Sequence, residues 1–180
     1  MDLQSLFDAA LAAAARGDHR LAAQAYEQFL DGVQGPGSPV SPAERPQLVR
    51  SAAFNLAQVL NKSGEYDQAL SWIEKGLAMS PTAVGRAIAL AAKGEALYGL
   101  KRIEDGRAAL DEAVDAHPVI GRLNAADTAA RVGPNGVLRI ARKWIDAVLT
   151  TFASSLDAAL REEAEQVREA LTARLDSSRT

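Results

Sequence analysis

Apolar residues recur along most of this chain at spacings of three and four. In AFNLAQVLNKSGEYDQALSWIEKGLAMSP, residues 53–81, Ala53, Leu56, Ala57 and Leu60 form one helical stripe, and Asn61, Lys62, Ser63 and Gly64 interrupt it. Tyr66, Ala69, Leu70, Ile73 and Leu77 form a second stripe. Ser80-Pro81 closes it, because proline lacks the N–H that a helix interior needs. The pattern predicts an antiparallel helix pair, with Ala57 and Ala69 as the small residues where two backbones cross.

Such a pair leaves one apolar face uncovered and must stack on neighbours. Two further copies are legible. In LAAKGEALYGLKRIEDGRAALDEAVDAHP, residues 90–118, Gly94 takes the small crossing position, Gly106 and Leu110 repeat the four-residue step, and Pro118 closes. In LFDAALAAAARGDHRLAAQAYEQFL, residues 6–30, Gly17, His19, Ala22 and Tyr26 match Gly64, Tyr66, Ala69 and Ile73. These residues resemble the tetratricopeptide repeat family, although the copies are spaced more widely than its period of about 34 residues. The resemblance implies an all-α fold, a short right-handed superhelical solenoid of antiparallel helix pairs with C-terminal capping helices, in one domain over residues 1–180. The repeats fall at about 3–34, 50–83 and 87–120. Between the first two lies an insertion, 35–48, whose Pro36, Pro39, Pro42 and Pro46 mark it as a loop.

Beyond Pro118 the repeat pattern fades into C-terminal helices over 121–176. Residues 121–132 are a short helical stretch ended by the GPNG turn at 133–136. In 137–152, Val137, Leu138, Ile140, Ala141, Trp144, Ile145, Val148, Leu149 and Phe152 make an apolar surface too wide for a helix with one face in water. That stretch is expected to pack on the third repeat beneath a last helix, which Ser154-Ser155 would cap. The last helix carries a narrow stripe of Leu156, Leu160, Ala164, Val167, Leu171 and Leu175. The stripe fits a cap over the end of the repeats, or a seam through which two copies form a homodimer.

Composition narrows the chemistry. Cysteine is absent and there are two histidines, so disulfides and thiolate metal sites are excluded. His19 and His117 both sit at helix ends, no strand-like run carries a phosphate-binding loop, and the reading is of a non-enzyme with no cofactor and no metal. A net charge of -3 offers no general attraction to nucleic acid, and the chain lacks both a basic leader and an apolar run long enough to insert in a membrane. A soluble, cytoplasmic protein is expected. One local exception is Arg122, Arg131, Arg139, Arg142 and Lys143 against Asp127 alone. It reads as a solvated face or, through Arg139, Arg142 and Lys143, as a docking patch for an acidic protein.

The family resemblance implies a non-catalytic protein-interaction module, an adaptor or scaffold that holds a peptide or helix of a partner in a groove lined by the first helix of each pair. The helix phase nominates Phe7 in the first repeat, Phe54, Asn55, Gln58, Asn61 and Lys62 in the second, and Glu95, Tyr98 and Arg102 in the third. Amides there would bond a peptide backbone and aromatics would anchor it. Some members clamp a C-terminal carboxylate with lysine, arginine and asparagine. Asn55 occupies one of those places, but Phe7, Ile88 and Ala92 stand at the basic ones. By length and repeat count the chain also looks like the small cytoplasmic chaperones of secreted bacterial translocator proteins.

Overall fold

A computed structural model describes residues 2–79 and 81–178. Ser80, half of the proline stop read above, lies outside the described residues. Among these the chain forms nine α-helices, one 3-10 turn and no strand. They are α1 (Leu3–Ala15), α2 (His19–Gln34), α3 (Arg45–Ser63), α4 (Tyr66–Ala78), α5 (Ala83–Gly99), α6 (Ile103–Ala116), α7 (Ile120–Val132), α8 (Asn135–Thr150) and α9 (Ala158–Ser177), with the 3-10 turn at Ala153–Ser155. The helices gather into two compact units, Met1–Pro81 and Thr82–Thr180.

In the first unit α2 packs on both α1 and α3, and α4 closes back on α3. The two tight turns depend on glycine: Gly17 and Gly64 each have φ +79°, a left-handed conformation that side chains with a Cβ disfavour. Asp2 caps α1 by accepting a 2.8 Å hydrogen bond from the Ser5 N–H, and Asp18 caps α2 by accepting from Leu21 N–H at 3.2 Å. The third helix starts at Arg45, inside the stretch read as loop. Ser41 and Glu44 make a reciprocal box there, the Ser41 hydroxyl donating to the Glu44 carboxylate at 2.6 Å while its oxygen accepts from the Glu44 N–H at 3.3 Å. Pro46 follows in the first turn, where a missing N–H costs nothing.

In the second unit α5 and α6 cross closely at Gly94, where an added Cβ would lie 2.5 Å from Leu110 Cδ2 and 3.2 Å from the Gly106 carbonyl oxygen. The chain then continues as a fourth hairpin. It is α7 that packs on both α5 and α6, α8 packs on α7, and α9 lies over α7 and α8. The helix nearest the third pair is therefore 120–132 rather than 137–152. Its place in the stack was hidden because it is buried nearly all round: Gly121, Leu123, Ala125, Ala126, Thr128, Ala129 and Ala130 leave no one-sided stripe to read. Gly121 is the closest approach, since a Cβ there would overlap the backbone carbonyl oxygen of Ala113.

Asp157, not Ser154-Ser155, caps α9, accepting from the Leu160 N–H at 2.8 Å. Near the other end of α9, Arg174 reaches over the end of α7 and donates to the carbonyl oxygens of Ala129 (3.0 Å), Ala130 (2.8 Å) and Gly133 (2.8 Å). These acceptors lie at a helix C-terminus, where a cation meets the negative end of the dipole, and the Ala129 oxygen is shared with the Gly133 N–H at 3.0 Å. No helix among the described residues is long and apolar enough to cross a membrane.

Candidate protein-binding faces

From Val49 to Asn61, α3 is buried everywhere except along one flank. That flank carries Ser51, Asn55, Gln58 and Lys62 at helical spacing, with Arg50 and Phe54 half-buried beside it. Gln58 and Lys62 are exposed. Asn55 is half-buried and shares a hydrogen bond with the hydroxyl of Tyr26, which is 1 % exposed on α2. Burial raises the Tyr26 hydroxyl above the ordinary tyrosine value, and the Asn55 bond pulls it part of the way back. Phe7 of α1 joins the same cluster, its ring 5.7 Å from that of Tyr26 in an edge contact and 5.1 Å from that of Phe29. The nominated residues Phe7 and Asn55 thus meet through Tyr26, which the repeat pattern matches to Ile73 of the second pair.

Phe54 is half-buried over Gly76 of α4, where a Cβ would lie 2.7 Å from Phe54 Cδ1. The ring fills the dent left by the glycine, so it helps close the α3–α4 hairpin. Asn61 is 3 % exposed and also belongs to the interior of its helix pair.

In the second unit, Tyr98 is likewise a packing residue, 3 % exposed, with its ring against Gly106. Its expected display in a groove is corrected for a simple reason. The ring fills the notch at Gly106 of α6, a small residue on the partner helix that the α5 stripe by itself does not reveal. The Tyr98 hydroxyl is buried without a hydrogen-bond partner, and burial, then the negative charge of Asp111, push it up to about 12. Arg102 is exposed and held by Asp105 at 2.8 Å.

Glu95 belongs to a charged cluster centred on Arg131. Arg131 of α7 donates from Nη1 to Glu95 Oε1 at 2.8 Å and from Nη2 to Oε2 at 3.2 Å, while its Nε donates to Asp127 at 2.9 Å. Burial disfavours the guanidinium charge, but the Glu95 bond and the Glu95 and Asp127 charges outweigh it, and the net shift is upward. The Asp127–Arg131 pair was visible as an i, i+4 spacing, but the Glu95 link needs α7 stacked on α5.

The basic cluster of the sequence does not form one patch. Arg131 belongs to the Glu95 pair, Arg122 lies over the Phe152 ring at 5.4 Å, and Arg142 binds both oxygens of Asp146 at 3.1 Å and the Thr172 hydroxyl of α9. Arg139 and Lys143 remain exposed, one turn apart on α8. The α9 stripe faces inward, with Ala164, Val167 and Leu171 buried against its neighbours, and its outer side carries Glu162, Glu163, Glu165 and Glu169 in solvent. No group of three or more histidine and carboxylate side chains is placed to hold a metal among the described residues.

The tetratricopeptide repeat family model matches residues 51–82, the greater part of α3 and all of α4, and this helix pair is a repeat of that family. No curated protein matches the chain. Repeats of this kind generally mediate binding between proteins.

Proposed function

We propose that the chain is a non-catalytic interaction module that holds an extended or helical segment of a partner protein against the open flank of α3. One observation carries the reading. Within the segment that matches the repeat, α3 keeps a single flank for solvent, and that flank presents Ser51, Asn55, Gln58 and Lys62 in succession with the edge of Phe54 beside them. Amide and hydroxyl groups of this kind bond a peptide backbone without demanding a particular side chain, and a half-buried aromatic offers apolar area at low entropic cost. Asn55, Gln58 and Lys62 are the contact residues. Phe7, Asn61 and Tyr98 hold the helices that carry the faces, and Phe54 does both, packing on Gly76 while its edge reaches the flank. Glu95 and Arg102 line the second unit's own surface, where their ion pairs make them weaker anchors.

The test starts from random peptides displayed on phage and selected on the whole chain. Binding of a selected peptide is compared for the unchanged chain and for Gln58→Arg with Lys62→Glu, two exposed positions whose replacement leaves the core alone. A loss of tenfold or more, about 1.4 kcal/mol, at unchanged melting temperature supports the assignment. Equal binding by the double variant refutes it.

A further inference from the structure

The outer edge of the α1–α2 hairpin is an apolar groove of about 410 Å³, lined by Leu6, Ala9, Arg16, Leu21, Ala25 and Gln28 among others. Leu21 is 46 % exposed, the largest value for a big apolar side chain among the described residues. One exposed leucine is ordinary. The distribution of charge along the groove is what sets it apart. Because α1 and α2 are antiparallel, the turn at Gly17 brings Arg16 and Arg20 to one end, while Asp2 and Asp31 stand at the other, all four exposed. Even with Asp18 in the α2 cap, the turn end stays net positive and the open end net negative.

We propose that this groove seats a second copy of the chain, docked about a two-fold axis that runs across the helices. That operation lays α1 along α1 and α2 along α2 in opposite directions, so Arg16 and Arg20 of each copy face Asp2 and Asp31 of the other. A two-fold axis along the helices would instead set turn against turn, with arginine facing arginine. Charge therefore selects one arrangement of a self-complementary surface. The alanines keep the floor low where the two copies cross, and Leu21 of each copy reaches toward Leu6 and Gln28 at the open end of the other. An unrelated helix would need no such reversal symmetry, and a second copy supplies it automatically.

Sedimentation equilibrium of the full chain tests this between about 1 and 200 µM at low salt. A monomer–dimer equilibrium is expected, weakened by added salt and lost in Leu21→Glu. Arg20→Glu alone and Asp31→Arg alone should each weaken the dimer by roughly tenfold, and the two together should restore it to within about threefold. Helical circular dichroism confirms that each variant is folded. Both charge changes are at exposed positions, so they remain informative even where Leu21→Glu perturbs the hairpin. A chain that stays monomeric, a dimer indifferent to these changes, or a double variant no better than the singles overturns the proposal.

Discussion

Gly121→Ala is the sharpest perturbation of the second unit. Gly121 opens α7 against the end of α6, and a Cβ there overlaps the Ala113 carbonyl oxygen and lies 2.7 Å from the Ala113 carbonyl carbon and 3.0 Å from Val114 Cα. All three obstacles are backbone, so no rotamer change relieves them, and one helix must shift against the other. Overpacking of this kind costs about 1 to 3 kcal/mol, and a rigid obstacle points to the upper end. Against it stands the gain of replacing glycine in a helix, at most about 1 kcal/mol. Gly136, in the first turn of α8 with nothing within 4 Å of its Cβ position, provides the matched control. Gly136→Ala should stabilise by about 0.4 to 1 kcal/mol. The two variants should then differ by about 2 kcal/mol or more. Urea denaturation in a Trp72→Phe background measures this, because the remaining tryptophan, Trp144, is buried in the second unit. A Gly121→Ala chain as stable as Gly136→Ala would refute the α6–α7 crossing, and with it the fourth hairpin.

Arg174→Ala removes three hydrogen bonds from a cation to the end of α7 and should cost about 1.5 to 3 kcal/mol, read from the same urea curves, whereas Glu163→Ala on the outer side of α9 should change little. Tyr98→Phe should leave stability unchanged or raise it by about 1 kcal/mol, because the hydroxyl it deletes is buried without a partner. The folded state holds the Tyr98 proton more tightly than the unfolded chain does. The stability linked to this group is therefore complete below pH 10 and declines as pH rises from about 10 toward 12. Tyr98→Phe should flatten that alkaline decline, and an absorbance titration that finds every tyrosine ionising near 10 would contradict the burial. Breaking the Arg131 fork with Glu95→Gln should cost about 1 kcal/mol at low salt and less at high salt, since Arg131 and Asp127 remain partly in solvent.

The helix pairs were legible because amphipathic stripes survive in sequence wherever one face of a helix meets water. Residues 50–83 and 87–120 show this; Gly64 turns the first pair and Pro118 follows the second, whose own turn passes through Lys101 at φ +63° rather than a glycine. What escaped were relations between helices. Tyr98 read as displayed because the stripe Leu90, Gly94, Leu97 already filled one face, and the glycine its ring packs on, Gly106, lies on α6. Phe54 read as an anchor because the glycine it fills, Gly76, lies on another helix. The start of α3 was masked by prolines, although Ser41 and Glu44 carried the capping spacing and Pro46 suited a first turn. The bonds of Arg174 and Glu95 left no trace, since their partners lie 41 to 45 and 36 residues away along the chain. Of the nominated site, Gln58 and Lys62 lie in the open, and Asn55 reaches the flank only in part because Tyr26 holds its amide.

Mapping a display-selected peptide onto the isotope-labelled chain by backbone amide chemical shifts tests the central claim most directly, because every surface competes in one experiment. The account predicts the largest changes at Ser51, Phe54, Asn55, Gln58 and Lys62, with an affinity that varies only weakly with salt because Lys62 is the one charge on that flank. Changes confined to Arg139 and Lys143 on α8, with steep salt dependence, would contradict it and assign docking to the basic residues of the second unit.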